Sequence, residues 1–409
     1  MLDAFLQITL VVLAVGGVAC AGYWLVILWH VAINRLSLPT ARRGMTLPPV
    51  DKSVCVIIPA HNEAGVIEGL VASLRAQDHK KMQAVLALDR CTDNTAELAR
   101  AAIGDDSRIR VLEIESCPDG WAGKVNAVWT AVQTSPEAQS ADLLLFADAD
   151  TEFHPACVRA TSAVMEHLDR DFLSLLSTLT TDTWFEWVAQ PAAGLELTRQ
   201  YPLVRASRDE RRRPFANGQF MLFRAETYRA IGGHELVKDQ LLEDLALARK
   251  VHGVGARAAV LFADGMLRCR MYDTWPQFRK GWKRIFTECA NQKDSRLDRS
   301  ASRLVLTSTL MPVLSVGAVA VGAVAAGPIA GIAFVLGMVG LGSWLVAHIA
   351  MHAAARSPIW PALVQPIGAM LVAAILRDAA RDLRSDTPTE WGGKKYHRPR
   401  RGAEVAAGE

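Results

Sequence analysis

Two long apolar stretches bracket a middle in which short apolar runs alternate with amphipathic ones. Residues 4–33 hold no Asp, Glu, Lys or Arg. Neither do residues 304–355, which are broken near Gly327-Pro328. About 20 apolar residues cross a bilayer core, and buried helices of soluble proteins are seldom this long and uncharged. The pattern predicts membrane spans over residues 6–29, 304–325 and 329–352. Between them, residues 53–58 form an apolar strand pattern before Pro59, and Val66, Leu70, Ala72 and Leu74 mark a helix. Further strands are expected over 82–88, 108–114 and 142–147, with helices over 94–103 and 124–132. This alternation predicts an α/β fold with a doubly wound, mainly parallel sheet covered on both faces.

Charge orients the spans. Nothing positive precedes the first one, and its apolar run exceeds the h-region of a cleaved signal, so an anchor is expected. Arg35, Arg42 and Arg43 follow it. The positive-inside rule then places the N-terminus outside and residues 34–303 in the cytoplasm. Residues 358–376 are apolar but contain Pro358, Pro361, Pro366 and Gln365. After them come Arg377, Arg381, Arg384, Lys394, Lys395, Arg398, Arg400 and Arg401. A fourth crossing would put these cations outside, so an interfacial or re-entrant segment is expected. The domains expected are an anchor (1–34), a cytoplasmic catalytic domain (50–300), transmembrane and interfacial helices (301–377) and a basic tail (378–409).

Composition narrows the chemistry. The formal net charge of +3 on 409 residues does not call for nucleic acid. Seven scattered cysteines without a C-x-x-C pair fit reduced thiols rather than a disulfide framework or a zinc site. In doubly wound sheets, ligands bind beyond the carboxyl ends of the strands. Glu63, Asp89, Asp93, Asp148 and Asp150 all fall on that edge. No G-x-G-x-x-G follows the first strand, so the dinucleotide fingerprint is absent.

Several groups admit two readings. Asp148-x-Asp150 offers hard oxygen ligands suited to Mg²⁺ or Mn²⁺, or is a turn with two solvated acids. Glu243-Asp244 opens a helical pattern, either as catalytic acids or as acids favoured by the helix dipole. Adjacent helical residues point about 100° apart, so one of the pair faces a substrate. Lys124, after Gly120-Trp121-Ala122-Gly123, reaches a phosphate or is an exposed helix-start lysine. The run Arg208–Arg213 is a solvated face or a headgroup contact. Trp275, Phe278, Trp282 and Phe286 recur at helical spacing with Arg279, Lys280, Lys283 and Arg284 between them. That describes an interfacial helix with aromatic anchors, or a packed amphipathic helix. His348 and His352, at i and i+4, face a neighbouring helix or headgroups, or ligate a metal. His61, His154 and His234 have no Ser or Cys partner that suggests a nucleophilic triad.

As a set, these stretches resemble the family-2 inverting glycosyltransferases of GT-A fold. The matching segments, in order over about residues 53–290, begin with Val56-Ile57-Ile58-Pro59-Ala60-His61-Asn62-Glu63 and Asp89-Arg90-Cys91-Thr92-Asp93. Gly123-Lys124-Val125-Asn126-Ala127, Asp148-Ala149-Asp150, Gly232-Gly233-His234 and Glu243-Asp244-Leu245-Ala246-Leu247-Ala248 follow. Asn217-Gly218-Gln219, Arg270-Met271-Tyr272 and Gly281-Trp282-Lys283 are similar to bacterial carotenoid glycosyltransferases. The plan also resembles ceramide glucosyltransferase and hopanoid-associated transferases.

The resemblance implies roles. Pro59, Glu63, Asp89 and Asp93 would hold the nucleotide. Lys124 and Asp148 would meet the nucleotide sugar, and Asp148 and Asp150 a divalent cation, Mg²⁺ or Mn²⁺. Asp244, beside Glu243, would be the general base. Asn217, Gly218, Gln219, Gln277 and Trp282 would serve the acceptor or the membrane interface. The implied activity moves a hexose from a nucleotide sugar, a UDP-sugar by expectation, to a lipid hydroxyl. The implied location is the cytoplasmic face of the inner (plasma) membrane, in a multi-pass protein. One departure stands out. Many relatives carry Q-x-x-R-W, whereas Gln277 and Trp282 are one residue too far apart, which argues against a processive polysaccharide synthase. That synthase, and an inactive nucleotide-binding membrane scaffold, are the alternatives.

Overall fold

The computed structural model describes residues 2–201, 203–207, 214–391 and 394–396. Arg208–Arg213 and the basic residues Arg398, Arg400 and Arg401 lie outside them. The chain opens with α1 (Leu2–Ser37) and enters the α/β region at β1 (Val54–Ala60) and α2 (Ile67–Arg75). There follow β2 (Met82–Asp89), α3 (Thr95–Ile103), β3 (Ile109–Ile114), α4 (Gly123–Thr134), α5 (Pro136–Ser140) and β4 (Leu143–Ala147). Next come β5 (Thr151–Phe153), α6 (Cys157–His167), β6 (Phe172–Leu176), β7 (Thr178–Leu179), α7 (Trp184–Val188), α8 (Gln190–Gln200) and α9 (Leu203–Ala206). The region closes with β8 (Phe220–Arg224), α10 (Ala225–Ala230), α11 (Glu243–Gly253), β9 (Ala258–Phe262) and β10 (Leu267–Cys269). Five helices end the fold: α12 (Trp275–Cys289), α13 (Asp294–Val305), α14 (Met311–Val324), α15 (Pro328–Ala354) and α16 (Gln365–Arg384).

The seven-stranded sheet runs β3-β2-β1-β4-β8-β6-β9. Only β8 is antiparallel to its neighbours β4 and β6. Every residue of β1 and of β4 is buried. Strands covered on both faces read as unbroken apolar runs, which is why both were visible in the sequence. One face is sealed by α2, α3 and α6, the other by α4, α10 and α11. A small second sheet, β5-β10-β7, sits beside the end of β4.

The terminal helices form two groups. In the first, α1 packs against α14 and α15 through small residues. A Cβ on Gly17 would lie 2.7 Å from the Leu336 carbonyl oxygen, and one on Gly337 would lie 2.7 Å from that of Ser315. Such backbone approach is how helices associate where lipid removes the hydrophobic drive. A π-helical turn (Leu306–Leu310) joins α13 to α14, and the Trp24 indole donates to the Thr307 carbonyl at 3.0 Å. The continuous helical segment Asp294–Val324 therefore runs through the expected domain boundary at residue 300.

In the second group, α7, α8, α12, α13 and α16 share one apolar core. Phe278, Trp282 and Phe286 are buried in it. The aromatic stripe on α12 thus faces α16 rather than a bilayer, and the packed alternative holds. Its interleaved cations reach acids one helix away: Arg279 meets Asp378 at 2.7 Å and Lys283 meets Asp382. The segment after Pro358 is helical. Trp360–Arg384 is long and apolar enough to cross a membrane. Among the described residues it is the fourth such helix, beside Asp3–Ser37, Asp294–Val324 and Pro328–Ala354. Pro361 and Pro366 sit in its first turns, where a helix tolerates them.

Candidate active site

The site is assembled where β1, β2 and β4 end. Beyond β1, Asn62 takes a left-handed conformation (φ +58°), which lets its side-chain oxygen accept the Thr92 amide at 2.8 Å. The His61 ring donates to the Asp89 carbonyl at 2.6 Å. Thr95 receives the Glu63 amide at 2.8 Å and donates its hydroxyl to Asp93 at 2.5 Å. These bonds pin the β1 and β2 loops together. Desolvation lifts the Asp93 carboxyl, yet bonds from Thr95 and Ala64 outweigh it and leave the group below its ordinary range. Glu63 goes the other way. Burial, then Asp148, Asp93 and Asp273, push it up to about 7.

Asp89 is buried and bound at both oxygens by the Arg90 guanidinium, at 2.9 and 2.7 Å. The start of α4 comes close to this pair. A Cβ on Gly123 would lie 2.8 Å from the Asp89 carboxylate. Glycine there is required by contact, and it brings Lys124 to the centre of the site. The Lys124 ammonium lies 2.7 Å from Asp148 and 2.5 Å from Glu243. Burial opposes its charge, but these two acids outweigh that and raise its pKa.

Asp150 is the most exceptional group. Its Oδ1 is buried with no hydrogen-bond partner among the described residues. Desolvation, then Asp148 and Glu63, push it up to about 8. The Cys269 thiol bonds to the carboxyl, and the Arg270 amide donates to the Asp150 carbonyl at 3.0 Å. A buried carboxylate facing two other acids is stabilised by a cation. Among the described residues no three His, Cys, Asp or Glu side chains gather as a complete ligand set. Two carboxylates completed by phosphate oxygens and water are what Mg²⁺ ordinarily takes, so the residues present fit such an ion.

On the far side, the first two residues of α11 diverge. Glu243 turns to Lys124. Asp244 accepts the Gly218 amide at 3.0 Å and the Leu245 amide at 2.7 Å. Burial, then Glu243, push Asp244 up to about 6 against the pull of Lys124 and these amides. Gly218 lies close to the ammonium and both acids: a Cβ there would be 3.2 Å from Lys124 and 3.5 Å from Asp244. Asn217 bonds instead to the fold, its amide donating to Ser174 at 2.8 Å and its side chain to the Leu175 carbonyl at 3.0 Å. Gln219 is buried and accepts from the Asn217 side chain at 3.1 Å. Beneath, His234 lies 2.7 Å from the Tyr228 hydroxyl, and burial followed by Lys124 drives it down to about 3.

The structure thus brings Glu63, Asp89, Asp93, Lys124, Asp148, Asp150, Gly218, Glu243 and Asp244 to one edge. Pro59 lies within β1, in register with Ala87. Gln277 and Trp282 are elsewhere. Gln277 caps α12, accepting the Asp273 and Thr274 amides at 3.0 Å, and Trp282 is buried in the helix core. Three further residues were given no role from the sequence. Arg90 clamps Asp89, Cys269 touches Asp150, and the Tyr272 ring covers Gly281, where a Cβ would overlap it. Cys269 reaches Asp150 through the pairing of β10 with β5, which no local pattern announces.

Residues 55–232 match the family model described as Glycosyl transferase family 2. No curated protein sequence matches the chain. Among solved structures it is similar to a mannosyltransferase from Pyrobaculum calidifontis in complex with GDP-Man and Mn²⁺, at 19% identity. That similarity covers 93% of this chain and 99% of that one, with a TM-score of 0.46. It is also similar to S. aureus TarS 1–349 in complex with UDP-GlcNAc, at 14% identity over 86% and 97% of the two chains, TM-score 0.41. A third is glucosyl-3-phosphoglycerate synthase from Mycobacterium tuberculosis, at 18% identity over 58% and 80%, TM-score 0.37.

Proposed function

We propose that this glycosyl transferase family 2 domain moves a hexose from a nucleotide sugar, a UDP-sugar, to the hydroxyl of a membrane lipid. The observation that carries the reading is the Asp244 carboxylate, fixed by two backbone amides in the same pocket as Lys124 and Asp148. Asp244 takes the proton of the acceptor hydroxyl. The hydroxyl oxygen then attacks the anomeric carbon from the side opposite the diphosphate. One C–O bond forms as the sugar–phosphate C–O bond breaks, so configuration inverts and nucleoside diphosphate leaves. Glu63, Asp89 and Asp93 hold base and ribose. Lys124 stands beside the diphosphate, kept charged by Asp148 and Glu243. A divalent cation, Mg²⁺ or Mn²⁺, held by Asp148 and Asp150 would neutralise the leaving group.

The lipid acceptor is supported by the helices long and apolar enough to cross a membrane that continue directly from the domain. The site then works at the cytoplasmic face of the inner (plasma) membrane. Mass-spectrometric lipid profiling of cells with and without the gene tests this. The expected result is loss of one hexose-bearing lipid with its unglycosylated precursor accumulating. An unchanged lipid profile overturns the lipid acceptor.

A further inference from the structure

By length and composition the segment that contains α16 resembles a membrane span. Its packing points elsewhere. The helix beside it, α13, leads into α14 and gives the scale. The last exposed charge on that path is Arg303, and Leu306 and Leu310 are the first exposed apolar residues after it. With α14 in a bilayer, the water boundary falls between residues 303 and 306. The Thr309 hydroxyl, just inside it, donates to the Pro366 carbonyl at 3.2 Å, which sets the start of α16 at the same level. At the other end Arg384 meets Asp294 at 2.9 Å and also Asp298, both in the first turns of α13. Asp294 to Thr309 rises about 22 Å and Pro366 to Arg384 about 27 Å. The two segments therefore lie antiparallel along nearly their whole length. Beyond its first turns, α16 runs beside a helix that carries Asp294, Arg296, Asp298, Arg299 and Arg303.

One face of α16 changes character along this path. Leu363, in the turn before the helix, and Ile367 and Met370 recur at helical spacing and are 67%, 51% and 50% exposed. The same face continues through Ala374 to Arg377 and Arg381, all exposed. Ile359 and Trp360 are exposed beside the apolar end, and the Trp360 ring packs on Trp187 at 4.6 Å. Trp187 belongs to α7, whose Trp184 is also exposed and lies 5.2 Å from Trp275. Tryptophan collects where a bilayer meets water, because one end of its ring suits lipid and the other suits water.

We propose that the surface of Trp184, Ile359, Trp360, Leu363, Ile367 and Met370 dips into the headgroup–acyl boundary of the leaflet facing the catalytic domain, and that α16 turns back from there to water without crossing. Continuity with α14 through Thr309 and Pro366 identifies the bilayer as what covers this apolar surface. That placement rests on α1, α14 and α15 spanning the membrane. It leaves three crossings and puts the end of α16 on the side of the catalytic domain. Trp275 follows Asp273, whose charge reaches Glu63, so the surface continues toward the candidate active site.

The experiment uses the full chain carrying Cys91→Ser and Cys117→Ser, with one new cysteine: Glu97→Cys, Val339→Cys, Ile367→Cys or Arg381→Cys. Glu97 and Val339 are exposed references on α3 and near the middle of α15. In inverted membrane vesicles, a membrane-impermeant maleimide should label Arg381→Cys to the same extent as Glu97→Cys. Labelling of Glu97→Cys alone means that α16 crosses, and overturns the proposal. Depth is read on the purified variants, labelled with a fluorophore, in phosphatidylcholine vesicles carrying a nitroxide near the headgroup or near the chain end. Ile367→Cys should be quenched best by the shallow nitroxide, and Val339→Cys by the deep one. Quenching of Ile367→Cys by neither, or at the depth of Val339→Cys, overturns the proposal. Quenching of Val339→Cys by neither removes the spanning helices themselves, and the proposal with them.

Discussion

Asp150 and Asp244 are both buried carboxyls lifted by desolvation, yet the fold treats them in opposite ways. Asp244 has each oxygen on a backbone amide. Asp150 keeps one oxygen without a partner among the described residues. The first carboxylate is completed by the protein and held close to neutral pH, where a base can both lose and gain a proton. The second faces the acids Asp148 and Glu63 instead. Lys124 separates the two, bonded to a neighbour of each, Asp148 and Glu243. On the proposed function, this one lysine divides the acidic edge into a half for a cation and a half for a proton.

Changing Asp244 should break this contrast most severely. Asp244→Asn is expected to lower kcat by about 10²–10⁴-fold, the usual contribution of a general base. Nucleotide affinity, read by calorimetry, should stay near wild type. Equal losses in both would mean that the two halves are not separate. Asp150→Asn should act on the other half. Metal-dependent nucleotide affinity is expected to fall about 10–100-fold, the loss of one or two charged contacts. With chelator present the variant and the wild type should converge.

The pH profile sharpens the same division. Turnover with saturating metal should rise with pH to a plateau above about 6, and fall about tenfold per unit below it, as Asp244 takes up a proton. Stability of the metal-free protein should run the opposite way. A raised acid binds its proton more tightly when folded, so the stabilisation present at low pH is lost as pH rises toward about 8. Thermal melts with and without Mn²⁺ check this, and saturating metal should flatten the slope. The smallest effect lies outside both halves. Tyr228→Phe removes the bond to His234 and should cost about 1 kcal/mol of stability while leaving kcat unchanged.

The first half of the sheet was legible because β1, β2 and β4 are buried apolar runs ending in acids. That part of the site follows from topology, since strand ends in a doubly wound sheet converge. The second half was not. β8 enters antiparallel between β4 and β6, and β5 and β10 are three-residue strands more than a hundred positions apart. Short strands leave no periodicity to read, so the contact of Cys269 with Asp150 had no signal. Thr274-x-x-Gln277 has the spacing of a capping box, and both of its bonds form at the start of α12. The burial of Trp282 depends on α16, almost a hundred residues away. An amphipathic helix shows that it has an apolar face, not what covers it.

The glycines of α1 make its role specific. Gly16 and Gly17 bring that helix against α14 and α15 so closely that a methyl group on Gly17 would strike the Leu336 backbone. A generic hydrophobic anchor needs only length, and any other apolar helix would replace it. This one is keyed to its neighbours by shape and by the Trp24 indole on Thr307. An unrelated apolar segment of equal length would still insert in a bilayer, but it would leave α14 and α15 without their mate. The N-terminal helix is in that sense a non-interchangeable part of the enzyme.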